Sequence, residues 1–138
     1  MRDTDKNHRP SAIRPIVANI PAEMQELKQW VLWKYVWKQE GERAEWAKLP
    51  MQTTGYAAKS NDPSTWATFK DALSAWANAQ SSFDGLGFMF TPESGIVGVD
   101  VDNCVETDAD GETRISKIGA RVIELLDSYT ELSPSGSG

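Results

Sequence analysis

The 138-residue sequence predicts an α/β protein of the α+β kind, with a mixed, largely antiparallel sheet flanked by helices. Three observations carry that class. The run Gln29-Trp30-Val31-Leu32-Trp33-Lys34-Tyr35-Val36-Trp37 is rich in aromatic and β-branched side chains, and a second strand-like run follows across Gly41, as a hairpin requires. Trp66, Phe69, Leu73, Trp76 and Ala77 recur at helical spacing and lay one apolar stripe along a helix. A short strand over 86–90 and an apolar run over 96–101 are separated by a tight connection containing Pro92.

In chain order, residues 1–18 carry Pro10 and Pro15 among charges and read as a flexible N-terminal arm. Pro21 followed by Glu23 starts a short helix over 21–28, since proline suits the first turn and an acid suits its positive end. A strand over 29–37, a turn over 39–43 and a strand over 44–50 follow, with Trp46 and Leu49 offered to the core. Residues 53–56 turn the chain, and Asn61-Asp62-Pro63-Ser64 caps a helix running from Ser64 or Thr65 to Ala79. Asp84-Gly85 turns into the strand over 86–90, and residues 91–94 connect it to a central strand over 95–101. The acidic stretch 106–112, with Asp108 and Asp110 expected to be solvated, leads to an amphipathic helix over about 115–126. Its apolar side is Ile118, Val122 and Leu125. Residues 129–132 read as a short strand entering a Ser/Gly loop.

The length fits one domain able to bury a core without staples. An apolar content of 40% and a charged content of 25% are those of an ordinary soluble protein. The net charge of −6 argues against a protein that coats nucleic acid by charge alone. It leaves room for an enzyme acting on nucleic acid, because a metal-holding site is itself acidic. The single Cys104 excludes an intrachain disulfide and has no zinc-site spacing around it. His8, the sole histidine, sits in the polar arm as a solvated residue rather than a base. No window approaches the roughly 18 consecutive apolar residues of a membrane span, and the polar start is unlike a signal peptide, so a cytoplasmic protein without a membrane partner is expected.

The candidate chemistry centres on Gly98-Val99-Asp100-Val101-Asp102-Asn103. On a strand, Asp100 and Asp102 share one face while Val99 and Val101 point to the other, toward the core. Two carboxylates so placed repel unless a cation lies between them, and hard oxygen ligands suit Mg²⁺ or Mn²⁺. The bland alternative is a strand running into a solvated acidic loop. A helix-loop-helix calcium site fails on spacing: counted from Asp100, its turn glycine falls on Val105 and its closing Glu on Gly111; counted from Asp108, they fall on Thr113 and Gly119. Ser135, Gly136, Ser137 and Gly138 form a loop whose backbone N–H groups suit a phosphate, or equally a flexible linker. Trp30, Trp33 and Trp37 offer faces for base stacking, but aromatics clustered in one strand more often seed a core.

The order of six blocks adds to this reading: Trp30-Val31-Leu32-Trp33; Lys48-Leu49-Pro50; Asn61-Asp62-Pro63-Ser64-Thr65-Trp66; Gly85-Leu86-Gly87-Phe88; Val99-Asp100-Val101-Asp102; and the stretch 128–138 with Ser133-Pro134-Ser135-Gly136-Ser137-Gly138. That succession resembles the N-terminal part of the bifunctional primase/polymerase domains of the archaeo-eukaryotic primase superfamily, found in phages and other mobile elements. The resemblance covers roughly residues 19–138. It implies a primase/polymerase-like fold and template-directed nucleotidyl transfer, with DNA template and primer, dNTP or NTP, and a fused or associated helicase as partners. It also implies that Asp100 and Asp102 bind the catalytic Mg²⁺ or Mn²⁺, and that the loop Ser135 to Gly138 lies against the incoming triphosphate. Lys48 is a weaker candidate for contacting phosphate or template. The family pattern continues to a histidine and a later acidic residue, so an incomplete catalytic domain, inactive in primer extension, is expected. Many relatives also carry a basic residue in the stretch where this chain has Ala57-Ala58-Lys59. The competing expectations are a noncatalytic nucleic-acid or nucleotide-binding module of a replication protein and, more weakly, a metal-dependent nuclease or phosphatase.

Overall fold

The computed structural model describes residues 4–78 and 80–138, so the first three residues of the arm and Ala79, the expected end of a helix, lie outside the described residues. The chain divides into two compact units: Pro15–Ile96 with the arm as far as Ser11, and Val97–Gly138 with Ala12–Arg14. Its architecture is α+β with antiparallel sheets.

The first unit is built on β1, Trp30–Glu40, the middle strand of an antiparallel sheet in the order β2-β1-β3, where β2 is Arg43–Met51 and β3 is Gly85–Phe88. The register pairs Trp37 with Trp46 and Glu40 with Arg43, leaving a two-residue loop. Gly41 adopts φ +61° at its first position, a conformation closed to most side chains and matched to the twist of a tight hairpin. Pro50 is tolerated inside β2 because β2 is an edge strand, so the N–H that proline lacks has no ladder to complete. Trp30, Val31, Leu32 and Trp33 are all buried, which is why this stretch of β1 shows no alternation: both its faces are covered.

One face holds Trp30 against Phe69, Ala72 and Ile20, with rings edge to face at 4.8 Å to Phe69 and 5.2 Å to Phe88. The Trp30 indole N–H donates to the Met24 carbonyl at 2.9 Å, so the large apolar ring leaves no buried donor unpaired. Met24 belongs to α1, Ala22–Gln25, a single turn where 21–28 was expected. The other face holds Val31, Ala58 and Trp66. The glycines of β3 make room there. A Cβ on Gly85 would come within 2.6 Å of the Trp33 indole nitrogen, and one on Gly87 within 3.1 Å of the Val31 side chain.

The helix expected from Ser64 or Thr65 onward is broken in two. Asp62 caps a 3-10 turn at Pro63–Thr65, then Thr68 caps α2, Phe69–Ala77, by accepting from the Asp71 N–H. Between the caps the chain is extended, and Ala67 exchanges hydrogen bonds with Trp30 at 2.7 and 3.0 Å. Trp66 therefore leaves the predicted stripe and packs with Val31 and Ala58, while Ala72 is the residue of α2 with no exposure and Ala77 is exposed.

In the second unit, β4, Val105–Thr107, pairs antiparallel with β5, Thr113–Ile115, and α3, Lys117–Leu126, follows. The stretch 106–112 is thus a hairpin and not simply an acidic loop. Asp108 is half-buried, contrary to expectation, because its carboxylate accepts from the N–H groups of Asp110 and Glu112, both at 3.0 Å, and closes the turn. Ser116 caps α3 by accepting from the Gly119 N–H. Gly119 is buried, and a Cβ there would lie 2.8 Å from the Ile115 side chain and 3.0 Å from the Cβ of Cys104. The face around Gly119 packs, whereas Ile118 and Leu125 on the expected apolar side are 72% and 65% exposed.

Two expected strands form no ladder. Residues 96–101 and 129–132 have no strand partner among the described residues, because extended backbone becomes a strand only when a neighbour takes its N–H and C=O groups. The prediction that Val99 and Val101 enter a core is corrected accordingly: Val99 is 62% exposed and Val101 is half-buried.

Candidate functional site

Residues 96–101 reach Asp100 without regular structure, and a turn at Asp102-Asn103 redirects the chain, Asn103 adopting φ +54°. Asparagine is among the residues that tolerate this left-handed conformation best. The turn leads through Cys104, half-buried, whose carbonyl accepts from the Ser116 N–H at 2.6 Å, and on into β4. Asp100 and Asp102 therefore sit at the approach to the hairpin, both exposed.

The Ser/Gly loop is a closed turn. Ser133 donates its N–H to the Gly138 carbonyl at 2.7 Å, and its own carbonyl accepts from the Gly136 N–H at 2.8 Å. The Ser133 hydroxyl accepts from the Gly138 N–H at 3.0 Å. The hydroxyls of Ser133, Ser135 and Ser137 form a chain with spacings of 3.1 and 2.9 Å. Gly136 has φ +76°. In this arrangement the N–H groups of Gly136 and Gly138 point back into the turn.

Two contacts bring this loop to the aspartates. The Val105 N–H donates to the Ser137 carbonyl at 3.1 Å, tying the loop to the first residue of β4. Gly138 lies so near the residue between the two aspartates that a Cβ on it would be 3.1 Å from the Val101 carbonyl oxygen. Asp100, Asp102 and the stretch Ser135 to Gly138, separated by more than thirty residues in sequence, are thus gathered within the second unit. Lys48 is in the first unit, exposed on β2, its Nζ 5.9 Å from the centre of the Trp33 ring.

Carboxylate oxygens are the donors that Mg²⁺ and Mn²⁺ take, and neither carboxylate is engaged by a hydrogen bond or an ion pair among the described residues. No group of three or more His, Cys, Asp or Glu side chains able to share an ion occurs among those residues. What the chain offers there is two exposed carboxylates, one on each side of Val101. Such a pair fits Mg²⁺, which keeps several waters and completes its shell with phosphate oxygens.

Reading the sequence passed over Arg9. Its guanidinium pairs with Asp84 at 2.6 Å and lies 5.9 and 6.0 Å from the ring centres of Tyr35 and Trp46. The Asp84 carboxylate also accepts from the Tyr35 N–H at 2.7 Å. Burial, together with the nearby Asp84 charge, raises the Tyr35 phenol above its ordinary range. An arginine in a polar arm carries no local signal of such a contact.

No helix among the described residues is long and apolar enough to cross a membrane. No family model matches the chain. Among curated proteins, 127 residues align at 30% identity with the DNA primase-polymerase of Nitratiruptor phage NrS-1, a stretch that is 89% of this chain and 16% of that protein. The chain thus spans about one sixth of the length of that relative. The resemblance drawn from the order of the sequence blocks is borne out.

Proposed function

We propose, from its kinship with a phage primase-polymerase, that this chain supplies the carboxylate pair and the phosphate-facing loop of a template-directed nucleotidyl-transfer site. The observation that carries this reading is the convergence of Gly138 on the Val101 carbonyl, between Asp100 and Asp102. Asp100 and Asp102 would hold Mg²⁺ or Mn²⁺. The metal, when bound, supplies charge neutralisation for in-line displacement at a phosphate. The protein's own part is to fix positions. The Asn103 turn aims the carboxylates, and the Ser137 to Val105 bond keeps the loop beside them. The N–H groups of Ser135 and Ser137, with the one hydroxyl hydrogen that the serine chain leaves over, are the donors available to a triphosphate. The substrates on this reading are a DNA template with its primer and a nucleoside triphosphate.

A second reading, a noncatalytic nucleotide-binding module, is favoured by the lack of a third ligating side chain among the described residues. Titration of the chain with Mn²⁺ in the presence of a nonhydrolysable dNTP tests the first claim. Metal-dependent nucleotide binding should fall at least tenfold in Asp100→Asn and in Asp102→Asn. Binding that survives both changes together excludes the pair as ligands. Separating the two readings requires a primer-extension assay on a chain extended through the histidine and the later acidic residue of the family pattern: extension there that Asp100→Asn abolishes supports catalysis, and nucleotide binding there without extension supports the module.

A further inference from the structure

The loop from Ser133 to Gly138 is held from outside by Val105 and by the N-terminal arm, whose Ala12–Arg14 belong to the second unit. The Ile13 N–H donates to the Pro134 carbonyl at 2.9 Å. The Ile13 side chain lies against the same loop, since a Cβ on Gly136 would come within 3.0 Å of its Cδ1. Gly136 is thus a close-approach position as well as a left-handed one. Ile13 is 49% exposed and joins neither buried cluster, so this contact is not a by-product of core packing.

Ser135 stands between Pro134 and Gly136, and Ser137 follows. Ile13 therefore brackets one of the two amides offered to a phosphate and adjoins the other. A segment of serine and glycine costs much conformational entropy to fix, and anchors made before a ligand arrives remove that cost from binding. We propose that Ile13 is a positioning residue for the nucleotide: through Pro134 and Gly136 it fixes the Ser135 and Ser137 amides that meet a triphosphate. The inference rests on the nucleotidyl-transfer reading, to which it adds an element more than a hundred residues away in sequence. Because the hold is on the loop, while the turn at Asn103 aims the carboxylates, the arm acts on affinity for the nucleotide and not for the metal.

The test uses the 138-residue chain and variants of one exposed residue. Ile13→Ala removes the side chain against Gly136, and Ile13→Pro removes the N–H that Pro134 accepts. Each should speed amide exchange of Ser133 and Gly136, which are bonded within the loop, severalfold, with the Asp110 and Glu112 amides unchanged. Affinity for a nonhydrolysable dNTP at saturating Mn²⁺ should fall roughly fivefold, while affinity for Mn²⁺ alone stays parental. Ile13→Leu, which keeps a δ-carbon, should behave as the parent in every readout. Nucleotide affinity that stays parental in both Ile13→Ala and Ile13→Pro overturns the proposal, whatever the exchange shows. So does Mn²⁺ affinity that falls in step with nucleotide affinity. A parent that binds no nucleotide overturns both this proposal and the reading beneath it. Otherwise the two fail separately: nucleotide binding indifferent to Asp100→Asn and Asp102→Asn removes the carboxylates as ligands and leaves the dependence on Ile13 standing, and arm variants that bind as the parent leave the carboxylates in place.

Discussion

The two units are held together differently. In the first, β1 is buried on both faces over Trp30 to Trp33, Leu32 and Ala72 have no exposure, and ring-to-ring contacts run from Phe69 through Trp30 to Phe88. In the second, strands of three residues are closed by side-chain caps, and Val97, Ile118 and Leu125 are 88%, 72% and 65% exposed. Packing specifies the first unit, and hydrogen-bonded turns specify the second. The candidate carboxylates and loop lie where packing is thinnest. That is the ordinary place for binding residues, which need accessible backbone and side chains on a supporting frame.

The largest expected effect tests the packed side. Trp30→Ala should cost about 3–5 kcal/mol, because it empties a buried site and removes the edge-to-face contacts with Phe69 and Phe88. Urea unfolding followed by circular dichroism measures it. The matching change on the other side, Ile118→Ser, should move stability by no more than about 0.5 kcal/mol, as expected of an exposed position. Equal losses for the two would erase the contrast.

Gly119→Ala gives an intermediate effect, about 1–3 kcal/mol of destabilisation, although alanine is the better helix former. The added methyl meets the Cβ of Cys104, a stem atom that cannot swing aside. Faster amide hydrogen exchange across 104–126, with β1 amides changed less, is the expected pattern. Stabilisation by this change would show that the helix is free to shift.

The smallest effect is electrostatic. The hydroxyl and the N–H of Ser64 both donate to the Asp62 carboxylate and hold it below its ordinary range. A depressed carboxylate favours the folded turn at pH values above its unfolded range, near 3.8, and loses that contribution as pH falls through the lower folded value. The Ser64 amide proton should therefore titrate with a midpoint below 3.8, and Asp62→Asn should abolish that titration.

The long hairpin was legible because its signals are local: a run of strand-favouring residues, one glycine at the turn, a second run. The helix boundary was not, since Trp66 happens to fall at helical spacing while two caps, Asp62 and Thr68, compete for the start. An apolar run such as 96–101 announces burial but not its neighbour, and a strand cannot be read without one. The small hairpin carries a mostly polar sequence, and Asp110-Gly111 is the signal that finds it. At the candidate site, the aspartate pair and the Ser/Gly loop are each visible as spacing. Their proximity is not, because it depends on a bond between Val105 and Ser137, far apart in the chain.

That single bond makes the small hairpin a gauge for the site. Val105 faces Ile115 in the ladder, so lengthening the turn at 108–112 by one residue, or slipping the register by one step, would re-aim the amide that Ser137 leans on. The loop would then shift relative to Asp100 and Asp102 with no change to any serine, glycine or aspartate. Distances along β4 and β5 thus belong to the specification of this centre as much as the chemistry of its side chains does.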